Sequence, residues 1–452
     1  MTLETESIAA LREATESLEM SFNNLPSFDP TLDLDGLRSV LTEVAVRMRD
    51  NYPYPHPMYM GHMMKPPHPL ARMAYALSLW INPNNHALDG GRASSAMEKE
   101  AVAELARMFG WQTHLGHLCS GGTVANLEAL WVSKCQQPDR KIVASEQAHF
   151  NHNRICKVLD VPFKSVPCDK AARMDVNALE SILKNDNIGT VVVTIGTTAT
   201  GSVDPLADII TLQNRFGFRI HADAAYGGYF ILVDNLRPDT RTAFDLLPEV
   251  DSIVVDPHKH GLQPYGCGCV IFKDPSCSRF YKHESAYTYL TSSELHLGEI
   301  SLECSRSGAS AVALWATMRI LPLVRGGEFA TNLAKSRTAA LKFFDLLNSD
   351  SRFMVGFEPE LDIMIWAPKA DSASEVSRLT QNLFQKAATV NLHMAKANLP
   401  RDILAHYWPG LEWDQEHITC LRACLMKPEH LDWIERIWAV LNQAMNDVAT
   451  ER

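Results

Sequence analysis

Four short apolar runs in this 452-residue chain end in polar or titratable side chains. Val143–Ser145 is followed by His149, and Val191–Ile195 by Gly196-Thr197-Thr198. Ile220 leads into His221-Ala222-Asp223-Ala224-Ala225-Tyr226, and Ile253–Val255 into Asp256-Pro257-His258-Lys259-His260. Ligands of open α/β sheets bind at the carboxyl ends of strands. Four such ends in succession therefore describe one shared pocket. Upstream, Cys119-Ser120-Gly121-Gly122-Thr123-Val124-Ala125-Asn126 opens a helical stretch that continues through Leu127, Leu130 and Trp131. Small residues at a helix start leave backbone N–H groups exposed, and these bind anions such as phosphate. The spacing is neither the dinucleotide fingerprint nor a Walker A loop, which disfavours a nucleotide.

A phosphate cradle, a lysine and an aspartate at strand ends, and a histidine between them fit pyridoxal 5′-phosphate. Its aldehyde needs a lysine amine. Its pyridine nitrogen needs a carboxylate that keeps it protonated, and one ring face needs a flat partner.

The elements that must position these residues follow from periodicity. The first 50 or so residues look helical, with Ile8, Leu11, Leu18 and then Leu37, Val40, Leu41 and Val44 at helical spacing. Between Asn51 and Pro69, six prolines forbid a regular helix. This segment reads as an extended link, and its Tyr59 and His62 are candidates to line a site. Ser95 and Glu98 read as a capping box opening a helix that Gly110 stops. Strands over 141–145, 190–195, 219–222 and 252–256 alternate with helices over 175–184 and 204–216. That alternation predicts βαβ units and a mostly parallel sheet flanked by helices. Beyond Arg319 the pattern changes to a helix over 328–348, strands over 354–357, 362–366 and 418–425, and a final helix over 429–448. The expected division is a helical arm and Pro-rich segment (1–70), a large α/β domain (71–325) and a small α+β domain (326–452).

Composition narrows the function. The net charge of −11 argues against coating nucleic acid. No apolar run reaches the roughly 18 residues of a membrane span. Ten cysteines are too sparse for a secreted disulfide scaffold. Cys267-Gly268-Cys269 reads as buried thiols in a strand, so no metal is expected. The acidic N-terminal residues Glu4 and Glu6 do not form a secretory signal, and the expectation is a cytoplasmic protein.

Taken in order, Ser120–Asn126, Gly196-Thr197-Thr198, His221–Gly228, Asp256–Lys259 and Cys304-Ser305-Arg306 resemble the motifs of the group II pyridoxal-phosphate-dependent amino acid decarboxylases. That family includes tyrosine, aromatic, glutamate and aspartate decarboxylases of fold type I. The resemblance implies that Lys259 is the Schiff-base lysine, that Asp223 partners the pyridine nitrogen, and that Ala225 packs under the ring. It implies that His149 stacks on the other ring face. Ser120, Gly121, Gly122 and Thr123 would hold the phosphate, with help from His258. Thr198 and Asp256 would lie beside the cofactor, and Ser305 would reach the phosphate of a neighbouring subunit in a homodimer. Arg422, in a segment resembling the family's C-terminal strand, would contact the substrate α-carboxylate, support the site from behind, or form a surface ion pair. Tyr287 and Tyr289 fall in the stretch matching a catalytic loop and are the candidate proton donors. Asn85, just before the helix opened by Ser95, is a candidate for the substrate end of the site. The sequence departs from common family patterns at Asp256, where some relatives have Asn, and at His260, where Trp is frequent.

The expected reaction is decarboxylation of an L-amino acid to an amine and CO2. The alternatives are another pyridoxal-phosphate reaction on the same scaffold (transamination, C–C or C–S lysis, oxygen-dependent decarboxylation-deamination) or a non-catalytic homologue.

Overall fold

A computed structural model describes residues 5–26, 31–282 and 295–450. Seven strands form the main sheet: β1 (Leu115–Cys119), β2 (Lys141–Ser145), β3 (Phe163–Val166), β4 (Ile188–Thr194), β5 (Arg219–Asp223), β6 (Ser252–Val255) and β7 (Gly268–Phe272). Their spatial order is β1-β7-β6-β5-β4-β2-β3. β2 runs parallel to β3 and β4, β4 to β5, and β5 to β6. β7 is antiparallel to both β6 and β1. β1 and β6 therefore point the same way, and β7 alone is reversed. Every residue of β4 is buried, and its Val191-Val192-Val193 run suits a strand covered on both faces.

The crossovers are short helices. Asp175 caps the helix Val176–Asn185, accepting from the Asn177 and Ala178 amides. Gly217, in the left-handed conformation, ends Leu206–Phe216. The expected capping box is corrected. The helix starts earlier, at Arg92 behind Gly91, so Ser95 and Glu98 both lie inside it. Glu98 is 1% exposed and instead accepts from the Leu118 amide, Asn85 and Arg306. Gly110 does follow the helix, at φ +86.

The second sheet is antiparallel, in the order β10-β11-β9-β8, built from β8 (Phe353–Val355), β9 (Ile363–Pro368), β10 (Ala395–Pro400) and β11 (His417–Cys424). Helices Glu328–Asn348, Ala373–Thr389 and His430–Thr450 share a core with it that includes Phe343, Trp366, Leu383, Ile437 and Leu441. Each such buried side chain contributes roughly 1.5–3 kcal/mol.

The Pro-rich segment is stitched to this sheet. The Met60 amide donates to the His393 carbonyl, and the Cys424 amide donates to that of Met60. The N-terminal helices Thr5–Met20 and Leu34–Met48 bury no side chain. Among the described residues, no helix is long and apolar enough to cross a membrane.

Candidate active site

β1, β2, β4, β5 and β6 point the same way, so their carboxyl ends share one edge of the sheet. A cavity of about 300 Å³ opens there. Ser120 to Thr123 line it just beyond β1. His149 follows β2, Thr198 follows β4, Asp223 ends β5, and Asp256, His258 and Lys259 follow β6. Ala225 lines it as well. The structure thus brings together the residues read from the four strand ends and the Gly-Gly turn.

Gly121 sits at φ +154 and is the N-cap of the helix Gly122–Gln136, with no side chain capping it. The first amides of a helix have no carbonyl behind them. A Cβ on Gly122 would lie 2.8 Å from Asp256 Oδ2, and one on Gly121 3.2 Å from His258 Cε1. Glycine therefore keeps the cradle open. The Ser120 amide already donates to Glu303 Oε2 at 3.1 Å, an oxyanion held at this turn.

Lys259 Nζ lies 3.0 Å from Asp256 Oδ2. Asp256 is 2% exposed, and its Oδ1 has no partner among the described residues. His258 Nδ1 donates to the Cys267 carbonyl at 2.8 Å, which leaves Nε2 with the lone pair. Burial pushes the His258 imidazole below its ordinary range, so it is neutral at neutral pH.

Asp223 is 5% exposed and accepts on Oδ2 from His152 Nε2 at 2.9 Å and Asn126 Nδ2 at 3.3 Å. Burial alone would raise its carboxyl. The His152 hydrogen bond and the charge of Lys259 outweigh that and hold it well below the usual carboxylate range. His149 is half-buried, and burial lowers its imidazole against the opposing pull of Asp223. The Asn151 amide donates to His149 Nδ1 at 3.2 Å, which places the proton of the neutral ring on Nε2. These features fit pyridoxal phosphate: an anion cradle that a Cβ would close, an amine against an under-satisfied carboxylate, and a buried carboxylate kept ionised.

A second cavity, of about 550 Å³, adjoins the first through His149 and Thr198. His62, Phe150, Asn398 and Arg422 line it. Arg422 is 6% exposed, and its guanidinium donates to the carbonyls of Ala199 (3.1 Å), Gly61 (3.2 Å) and Thr198 (2.6 Å). Of its three expected roles, this geometry matches support from behind. It ties the Pro-rich segment and the loop after β4 to β11.

Other expected residues lie elsewhere. Asn85 is fully buried, donates to Glu98 Oε2 at 2.6 Å and accepts from Ser94. Its amide is fully engaged inside the helix packing and does not line the cavity. Tyr59 is 2% exposed among Tyr52, Tyr54 and His393, and its hydroxyl accepts from the His62 amide at 3.2 Å. It sets the position of His62 and lines neither cavity. Ser305 is exposed and accepts from Asn84 Nδ2 at 3.2 Å, outside the cavity of its own chain. Tyr287 and Tyr289 lie outside the described residues.

Sequence reasoning missed His152 and the role of Asn126. Both had a signal. His152 falls three residues after His149 at the start of the next helix, and Asn126 four after Gly122, a spacing that shares a helical face. Among the described residues no cluster could hold a metal ion.

A model of the pyridoxal-dependent decarboxylase conserved domain matches residues 56–367. The chain is 25% identical to an L-tyrosine decarboxylase of Enterococcus faecium, an alignment covering 87% of this chain and 85% of that one. It is 31% identical to a probable L-tyrosine/L-aspartate decarboxylase of Methanothrix thermoacetophila, over 62% of this chain and 70% of that one. The glutamate decarboxylase domain of a Vibrio parahaemolyticus protein superposes with a TM-score of 0.76 at 20% identity, covering 100% of this chain and 98% of that one. A Catharanthus roseus tryptophan decarboxylase, solved with L-tryptophan, gives 0.77 at 18% identity, covering 99% and 100%. These superpositions show a shared fold.

Proposed function

The chain belongs to the pyridoxal-dependent decarboxylase family, and we propose that it acts on an aromatic L-amino acid, tyrosine first among them. As a member it is a pyridoxal-phosphate-dependent carboxy-lyase, converting an L-amino acid to the amine and CO2. The observation that carries the substrate reading is the second cavity. It is large enough for a phenol ring, and Phe150 stacks on His149 with centroids 4.4 Å apart at its mouth. Its Arg and Lys lining residues are engaged elsewhere, Arg422 on backbone carbonyls and Lys396 on Gln381, while Glu146 adds a carboxylate. That arrangement offers an acidic side chain little. The relatives named as tyrosine decarboxylases agree with this reading.

The bound cofactor supplies an electron sink for the pair left when CO2 departs. Lys259 would provide the amine that holds it. Asp223 holds the proton at the ring nitrogen. The amides of Gly121, Gly122 and Thr123 would receive the phosphate, with His258 lining the cradle beside them. Ala225 and His149 bracket the ring, and Thr198 and Asp256 flank it. Tyr287, Tyr289 or His149 Nε2 delivers the proton to the substrate Cα. Arg422 fixes the walls of the side-chain pocket.

The active form is proposed to be a homodimer, with Ser305 facing the partner's cradle. Supporting this, Leu37, Val40, Leu41 and Val44 are 44–59% exposed on a helix that packs no side chain into its own chain. We also propose a cytoplasmic location, supported by ten cysteines that form no disulfide, and three units over 1–70, 71–325 and 326–452.

The test is CO2 release from a panel of L-amino acids with added cofactor, with identification of the organic product. Tyramine from tyrosine, with weaker release from aspartate and glutamate, supports the reading. Preference for an acidic substrate, or an aldehyde in place of the amine, overturns it. Light scattering at twice the 50.4 kDa chain mass checks the dimer.

A further inference from the structure

His152 is 1% exposed and, beyond helping to keep Asp223 ionised, touches the carboxylate on which the assignments above depend. An ionised carboxylate only accepts hydrogen bonds, so the 2.9 Å contact to Asp223 Oδ2 requires the proton on Nε2 of His152. The other ring nitrogen, Nδ1, is buried and has no partner among the described residues. A second proton there would leave a buried cationic N–H without an acceptor. The geometry therefore places a proton on His152 Nε2, facing Asp223.

The opposite side of Asp223 is built as carefully. Asn126 Nδ2 donates to the same Oδ2 at 3.3 Å, while Asn126 Oδ1 lies 2.8 Å from His221 Nε2. His221 Nδ1 in turn lies 2.8 Å from Ser252 Oγ. With His221 donating from Nε2 and accepting at Nδ1, the Asn126 amide can face only one way. Oδ2 of Asp223 is thus held by two donors. Among the described residues Oδ1 accepts only the Ala225 amide, at 3.2 Å, and keeps capacity for one further donor.

We infer that His152 is the positioning residue of Asp223: its Nε2–H fixes the carboxylate rotamer and leaves Oδ1 as the oxygen turned to the cofactor's ring nitrogen. The inference rests on the role given to Asp223 above. It also explains the local sequence. The turn that leads into the helix Asn151–Val158 delivers the ring-stacking residue and the carboxylate's positioning residue three positions apart, tied by the His152 amide donating to the His149 carbonyl at 3.2 Å. Removing His152 leaves Oδ2 with the longer Asn126 contact alone.

The test combines two readouts. In 15N-histidine NMR of the cofactor-free protein, with the His152 signal identified by its loss in His152→Gln, the expected pattern is the Nε2-protonated tautomer. An Nδ1-protonated ring there overturns the inference, because a bare Nε2 cannot donate. In cofactor titrations followed by absorbance, His152→Leu should weaken binding by about tenfold to a hundredfold, the range for a hydrogen bond to a charged group. His152→Gln, which still offers an N–H, should stay within about threefold of wild type. Wild-type affinity in His152→Leu overturns the inference, as does a His152→Gln protein as impaired as His152→Leu. If His152→Leu does not fold, the tautomer and His152→Gln decide. Failure of the wild-type protein to take up cofactor at Lys259 would instead count against the functional reading, and the tautomer would still decide the hydrogen bond.

Discussion

The ammonium of Lys259 lies 3.0 Å from Oδ2 of Asp256, three residues earlier in the chain. The turn after β6 therefore folds the lysine back over its own strand end and aims the amine into the cavity, with its side chain 20% exposed. Lys259→Ala should abolish the covalent cofactor adduct. Borohydride trapping and peptide mass mapping should find it on the peptide carrying residue 259 in wild type and nowhere in the variant. Turnover should fall by roughly 10²–10⁴-fold, the range for losing a positioned proton-transfer group. An adduct at another lysine would displace the assignment.

Gly122 tests the anion cradle. Its helix backbone tolerates a side chain, but a Cβ would meet the buried Asp256 carboxylate at 2.8 Å and the Ala225 Cβ at 3.3 Å. Gly122→Ala should keep the fold and raise the cofactor dissociation constant by about tenfold or more, the scale of a lost charge-assisted contact. Gly356→Ala is the matched control, because its nearest neighbour would be Leu404 Cδ2 at 3.4 Å. Equal cofactor affinity in the two variants would remove this turn from the site.

The parallel strands were legible because burial on both faces demands continuous β-branched runs, as in Val191-Val192-Val193, and because ligand chemistry collects where such runs stop. Strand β10 was not. Its Ala-Lys-Ala-Asn-Leu-Pro sequence lies at a sheet edge, and its alternation rests on two alanines and one leucine before a proline, too little apolar bulk to mark a strand. Asn85 shows a second limit. A polar residue in a loop reads the same whether it faces substrate or, as here, the inward side of Glu98. Glu98 itself mimics a capping residue at the right spacing from Ser95, yet it serves an amide and an arginine on distant segments. Arg422 shows the same limit on a larger scale. The carbonyls it holds are 361, 223 and 224 residues away, beyond any local pattern.

Arg422 accordingly makes a prediction that separates support from substrate contact. Lysine keeps the charge but cannot span three carbonyls, so Arg422→Lys leaves buried acceptors unpaired. Stability should fall by about 2–4 kcal/mol in chemical denaturation, and kcat/KM should fall with it, while cofactor affinity stays near wild type. A variant of unchanged stability with only a raised KM would instead mark Arg422 as a ligand of the substrate carboxylate.

Asp204 links the site to pH from beneath. It is fully buried, and burial raises its carboxyl to about 7 even though the Thr194 and Met174 amides both donate to it. In an unfolded chain the same group titrates near roughly 3.9. Between those values the folded state holds the proton and the unfolded state does not. Its contribution to stability is therefore full below about pH 3.9 and is lost as pH rises through 7. Asp204→Asn removes the titration and turns an amide group toward one of the two backbone donors, a cost at every pH. The stability gap between wild type and Asp204→Asn should narrow by about 3 kcal/mol from pH 5 to pH 8, two pH units of full linkage. A gap independent of pH would place the titration outside that window. Thr194, whose amide donates to this carboxylate, lines the strand-end cavity and pairs in register with Asp223. The same ionisation should then appear as a small change in cofactor absorbance near pH 7, absent from Asp204→Asn.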